Sequence, residues 1–293
     1  VASTLLISIA VVLRIVSNPL GNVFQKQLTE SRNHPLLVNF LTYFFLGLAC
    51  LFFLPAIEWS QLPVGFWWFS IAGGIAGALG NAFLVKALQT GDLSVLGPIN
   101  AYKSVVGLVV AVFLLGEIPS LWGILGIAMI ISGSYFVLDT LEEKFSWALL
   151  KRKEIQYRIW AMVLTAIEAV IIKKIIRHSN PEIAFVMWCW FGTLFAFVLM
   201  IAYRLRIVKE LSSIKPRHLS RYLLLILCIG TMQLTTNYVL DNIPVGYALS
   251  LFQLSTIVSI LLGYKIFREK DIRKKLLGAV IMISGSVIII LMK

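Results

Sequence analysis

LLGEIPSLWGILGIAMIISGS, residues 114–134, returns in the second half of the chain as IFREKDIRKKLLGAVIMISGS, residues 266–286. The two stretches align without a gap at an offset of 152, and the register extends back to pair residues 88–134 with 240–286. Glu117 falls on Glu269, Gly126 on Gly278, and Ser132-Gly133-Ser134 on Ser284-Gly285-Ser286. Only nine of these 47 positions are identical. The weight rests on the shared order of an acidic helix end, a glycine and a closing triplet of small residues. A duplicated half written in apolar residues is how many membrane carriers are built, with the substrate between the halves.

The rest of the chain has the same character. Apolar residues make up 59% of its 293 positions and charged ones 14%, and the mean hydropathy is +0.89. Those values exclude an ordinary soluble domain. Ten apolar runs are long enough to cross a bilayer at about 20 residues each. They span roughly 5–28, 37–54, 65–90, 93–115, 121–138, 157–178, 182–203, 221–241, 245–266 and 275–292. Lipid offers the backbone no hydrogen-bond partners, so each run is expected to be a helix. The fold expected is all-α and integral to the membrane: ten transmembrane helices arranged as two inverted five-helix repeats. Five is odd, so the second repeat enters the membrane from the opposite side. The first repeat is read as residues 1–140, a basic amphipathic linker as 141–156 and the second repeat as 157–293. The opening segment is not expected to be a signal peptide, because Arg14, Asn18 and Pro19 interrupt it and no cleavage site follows.

The net charge of +12 does not point to nucleic acid, because of where the charge lies. Loops that follow odd-numbered helices, with the adjoining helix ends, hold 20 of the 26 Lys and Arg residues. That bias places the odd loops in the cytoplasm and both termini outside. The linker mixes Phe145, Trp147, Leu149 and Leu150 with Lys144, Lys151, Arg152 and Lys153, a composition suited to lying on the lipid surface. Cys50, Cys189 and Cys228 stand alone within helices and read as packing residues; His34, His178 and His218 lie in loops or at helix ends. No metal spacing, nucleophile elbow or phosphate loop is present, so neither a cofactor, a metal nor an enzymatic activity is expected.

The run Ala87-Leu88 … Phe113-Leu114-Leu115-Gly116-Glu117 … Gly126 … Gly133 resembles the repeat of the drug/metabolite transporter superfamily, specifically its ten-helix EamA-type members. Glu269, Gly278 and Gly285 repeat it more loosely in the second half. The resemblance covers nearly the whole chain. It implies an exporter or carrier of amino acids and metabolites, with relatives that carry sugar phosphates and nucleotide sugars. It also implies a multi-pass protein of a bacterial or archaeal inner membrane. Many members carry a proline 13 residues before the glutamate, where this chain has Ser104 and Thr256. Members usually keep both termini in the cytoplasm, the opposite of what the charge bias implies.

Three ionisable residues, Arg14, Lys103 and Glu168, fall near the middle of the first, fourth and sixth helices. Such groups cost at least ~2.5–3.5 kcal/mol on insertion scales and face protein or water. On the first helix Arg14, Ser17, Asn18, Gly21 and Gln25 form one polar stripe. Asn100, Lys103, Ser104 and Gly107 share a face of the fourth. The eighth carries Thr231, Thr235 and Tyr238 on one side with Gln233 and Asn237 on another, and the ninth carries Tyr247, Ser250 and Gln253. Gly73, Gly77 and Gly80 mark a close helix approach, Pro98 is expected to bend the fourth helix, and Glu117 and Glu269 read as structural helix-end residues.

Two cations against one carboxylate favour a substrate with a carboxylate or phosphate. The substrate site is therefore expected at Arg14, Asn18, Asn100, Lys103, Glu168, Tyr238 and Gln253. Glu168 is read in three ways: as an ion-pair partner of Arg14 or Lys103, as a substrate contact, or as a proton-coupling group. The partners expected are a small-molecule substrate and the bilayer, with no nucleic acid. One rival reading is a multidrug exporter of lipophilic cations, which Lys103 opposes. Another is an assembly subunit without transport activity, which has no use for three charges at mid-membrane. A membrane enzyme is the weakest.

Overall fold

The computed structural model describes residues 4–103, 105–106, 120–140, 149–212, 214–243 and 245–291. Ser104, Gly107, Glu117 and residues 141–148 of the linker lie outside them, as do the side chains of Tyr247 and Ser250. Among the described residues there are helices and no strands. The first half contains α1 (Thr4–Glu30), α2 (Pro35–Ala49), α3 (Val64–Thr90), the short α4 (Leu93–Leu96) and α5 (Leu121–Leu138). The second contains α6 (Lys153–His178), α7 (Pro181–Ala202), the short α8 (Ile207–Ser212), α9 (Pro216–Asn242), α10 (Val245–Phe252), α11 (Ser255–Phe267) and α12 (Ile272–Leu291).

Local sequence starts several of these helices. Pro35 and Pro181 take the first helical positions of α2 and α7, where a missing N–H costs nothing. His34 Nδ1 accepts the Leu36 amide at 3.2 Å, Asn180 Oδ1 that of Ile183 at 2.7 Å, and Ser120 Oγ that of Gly123 at 3.2 Å. α6 begins at Lys153, so residues 153–156, expected in the linker, form its first turn.

Among the described residues, six helical spans are long and apolar enough to cross a membrane: Thr4–Glu30, Pro35–Pro55, Val64–Thr90, Leu121–Leu138, Pro181–Ala202 and Pro216–Asn242. α6 is long but has a run of charge near its C-terminal end, at Lys173, Lys174 and Arg177. α12 opens on Arg273, Lys274 and Lys275. The fourth and ninth expected helices are not continuous. α4 ends at Leu96, and Pro98, which has no N–H to donate, opens a 3-10 turn over Pro98–Ala101. The ninth breaks between Phe252 and Ser255, where Thr256 N donates to Gln253 O at 2.9 Å in a three-residue turn. At the offset of 152, the second break at 253–254 corresponds to 101–102, the end of the first 3-10 turn, so the two breaks fall at neighbouring places in the repeat.

The packing is unchanged when the halves are exchanged. α1 lies along α9, and the equivalent pair α6 and α3 lies together in the same way. α2 packs on its own equivalent α7, and α5 on its equivalent α12. At the last crossing the backbones nearly touch. A Cβ on Gly133 would stand 2.6 Å from Gly278 O, one on Gly278 2.5 Å from Gly133 O, and one on Gly285 2.6 Å from Gly126 O. Position 126 therefore faces 285 while 133 faces 278, so α5 and α12 run antiparallel.

Candidate functional site

The expected small-residue face of α3 meets α6. Gly73 faces Ile171 and Ile175, Gly80 faces Thr165, and a Cβ on Gly77 would run into Glu168 Oε1. Glycine at 77 thus makes the space that the carboxylate occupies. Glu168 is 7% exposed, and its Oε1 accepts the Trp188 indole N–H at 2.7 Å. Trp188 lies on Tyr43 at 4.6 Å between ring centroids, and the Tyr43 hydroxyl accepts the Asn81 amide at 2.5 Å. Glu168 is therefore oriented by an aromatic cluster from α2 and α7. No ion pair to Glu168 is formed among the described residues, so its expected role as a structural partner of Arg14 or Lys103 is not what positions it.

Glu168 lines a central cavity of about 90 Å³ together with Arg14, Asn18, Asn22, Asn81, Asn100, Lys103, Arg158, Thr165, Trp188, Gln233 and Thr236. That volume holds several waters, at roughly 10–15 Å³ of accessible volume for one. The Arg14 guanidinium sits over the Phe252 ring at 4.2 Å, and its Nη1 donates to Ser255 Oγ at 3.5 Å. Arg14 from α1 therefore rests on both sides of the break between α10 and α11. Its Nε is buried without a partner.

Arg158 from α6 does the equivalent at the other break. Its Nε donates to Leu96 O at 2.7 Å, a carbonyl near the turn in which Asn100 N bonds to Gly97 O instead. Each arginine thus comes from the first long helix of one half and supports the broken helix of the other. Lys103 enters just after the first break and lies within electrostatic reach of Arg14, Arg158 and Glu168. It has no hydrogen bond or ion pair among the described residues.

Five of the seven expected site residues (Arg14, Asn18, Asn100, Lys103 and Glu168) are brought together here. The other two are not. Tyr238 lines a separate apolar groove with Leu6, Ile9, Leu13 and Thr235, because α9 turns its Gln233–Thr236–Leu240 face to the cavity. Gln253 is 3% exposed and sits behind the wall, where its Nε2 donates to Asn100 O at 3.1 Å. In the sequence Arg158 reads as the last charge of the basic stretch before the sixth helix. Its spacing from Thr165 and Glu168, seven and ten residues on, places all three on one helical face and was the available signal. On α1 the wet line is Arg14, Asn18 and Asn22, whereas Gly21 packs on Ile229 and Gln25 is buried. No metal-binding cluster of His, Cys, Asp or Glu occurs among the described residues.

No curated protein sequence matches the chain. A solved crystal structure superposes with a TM-score of 0.67 over 97% of both chains at 15% identity, which shows a shared fold. The model of the EamA-like transporter family matches twice, over residues 5–139 and 152–291. Each match carries one copy of the duplicated pattern and contributes an arginine and one broken helix to the cavity. With both halves matched, the chain belongs to the EamA-like transporter family, a family of multi-pass membrane transporters.

Proposed function

We propose that the protein is a secondary carrier that moves a small anionic or zwitterionic metabolite by alternating access. The observation that carries this reading is Lys103, a cation in a polar cavity with no hydrogen-bond or ion-pair partner among the described residues, standing near Arg14, Arg158 and Glu168. An ammonium held in such a place needs an anion. Asn18 and Asn100 complete the binding surface, and Glu168 is the group suited to meet an ammonium or to carry a proton.

The antiparallel crossing of α5 and α12 supports an inverted repeat, since these helices are equivalents. On that reading the chain crosses the membrane ten times, with the fourth and ninth crossings broken at neighbouring positions of the repeat. Discontinuous helices at corresponding places in two halves are where carriers of this architecture bind their substrates.

The test is thermal stability of the detergent-solubilised protein against amino acids, organic acids, sugar phosphates and nucleotide sugars. A ligand at a hundred times its dissociation constant stabilises by roughly 2.7 kcal/mol. A shift from an anionic or zwitterionic compound that Lys103→Ala removes supports the reading. Shifts from lipophilic cations alone would overturn it in favour of a multidrug exporter.

A further inference from the structure

Among the described residues, the cavity wall holds three cations, Arg14, Lys103 and Arg158, and a single carboxylate, Glu168. The carboxylate is held by Trp188 rather than by any of the cations. Arg158 is 4% exposed and lines the cavity, and among the described residues its one hydrogen bond uses Nε, which leaves both terminal nitrogens without a protein partner there. Arg14 spends one terminal nitrogen on a long contact to Ser255. Two guanidinium groups and an ammonium therefore line a space whose described wall supplies one negative charge. Burial of unpaired charge is costly, and guanidinium groups select planar or tetrahedral oxyanions.

We infer that the substrate carries two negative charges, and that Arg158 binds it beside Arg14 and Lys103. The inference rests on the carrier reading above and narrows it. A zwitterion brings no net charge and leaves the wall at plus two. A monoanion leaves plus one, and a dianion closes the count. The two arginines stand on the broken helices of opposite halves, so one dianion draws both halves onto itself. The chemistry is shared by dicarboxylates and phosphomonoesters, and Lys103 suits either.

The experiment compares compounds of nearly the same size but different charge on the solubilised wild-type protein. Succinate is set against succinamate, and glycerol 3-phosphate against its methyl phosphodiester, each a dianion beside a monoanion of similar shape. Affinities come from ligand-dependent melting shifts and are repeated on Arg158→Lys and Arg158→Gln. The expected result is binding of a dianion at least ~30-fold tighter than its monoanionic counterpart, the fold-change that corresponds to the ~2 kcal/mol lower end for removing one partner of a buried charge pair. Succinate or glycerol 3-phosphate as the better ligand identifies the oxyanion. Arg158→Lys should keep the preference for the dianion, and Arg158→Gln should lose it.

Equal binding of succinamate or of the phosphodiester by the wild type would overturn the inference while the carrier reading stands. A wild type that binds none of the anionic or zwitterionic compounds overturns both. If Arg158→Gln fails to fold for want of its bond to Leu96, the wild-type comparison and Arg158→Lys still decide. A general drop in melting temperature with the charge preference intact would assign Arg158 to support of the helix break alone.

Discussion

The carboxylate of Glu269 accepts the backbone amide of Ser94 at 2.9 Å, although the two residues belong to opposite halves of the chain. The Ser94 hydroxyl donates to the same oxygen, and the other oxygen takes the Leu93 amide at 2.8 Å. Glu269 thus caps α4 from outside, where helix amides are otherwise without acceptors. Lys26 stands 3.7 Å away and donates to Gly91 O at 2.7 Å, while Lys275 donates to Ser94 Oγ at 2.8 Å. All four side chains are buried. Glu269, two residues past the end of α11, is therefore a tie between the halves at the start of the first broken helix.

Glu269→Ala should lower stability by about 3–5 kcal/mol, the cost of removing one partner from a buried ion pair. Ser94→Ala removes hydrogen bonds but no charge and should cost about 1–3 kcal/mol. Melting temperatures in one detergent give the comparison. An alanine at 269 tolerated as well as one at 94 would mean that the tie does not hold the halves together.

Gly77→Ala tests the space around Glu168. The added Cβ would meet both the carboxylate and the Tyr43 hydroxyl, the latter at 3.3 Å. Overpacking of this kind costs about 1–3 kcal/mol, and the displaced carboxylate should also weaken transport in reconstituted vesicles. Gly65→Ala is the control. Its nearest neighbour is His178 Nε2 at 3.9 Å, an ordinary contact, so it should be neutral or slightly stabilising. Equal effects of the two alanines would remove the argument that glycine 77 is there for Glu168.

What could be read in the sequence follows from how each residue announces itself. Arg14, Lys103 and Glu168 stand out because an ionisable group amid apolar helix has few explanations, and the structure gathers them around one cavity. Arg158 does not stand out: it follows Lys151, Arg152 and Lys153, and reads as one more charge on a basic loop until the start of α6 is known. Tyr238 was misplaced because α9 carries polar residues on more than one side, and periodicity alone cannot choose between the Thr235 and Thr236 faces. Pro98 gives away the first helix break. The second, at Gln253-Leu254, has no proline or glycine and is held by contacts distant in sequence, with Gln253 on Asn100 and Arg14 on Ser255.

Trp188→Phe should isolate the indole bond to Glu168. The ring is kept for its contact with Tyr43, while the N–H that reaches Glu168 at 2.7 Å is lost. A buried carboxylate deprived of a donor costs about 1–3 kcal/mol. In a Glu168→Gln background the acceptor is neutral, and the same change should cost less. A double-mutant cycle on melting temperature measures the difference. A cycle that closes at zero would show that the indole bond adds nothing to holding the charge.

The crossing of α5 and α12 makes a prediction of a different form, because backbone meets backbone there. Gly133 and Gly278 each leave room for the other's carbonyl at 2.5–2.6 Å from where a Cβ would be. No side-chain rotation relieves such a contact, so the first alanine must push the helices apart. Gly133→Ala and Gly278→Ala should each cost about 1–3 kcal/mol. Once the helices have separated, the second Cβ meets a gap already opened, and the double variant should lose clearly less than the two single losses combined. Residues in contact commonly depart from additivity by about 0.5–3 kcal/mol. Melting temperatures of the two single variants and the double variant supply all the terms. Strict additivity would mean that each glycine relieves a separate contact, and the two halves would not be joined at this crossing in the way the structure places them.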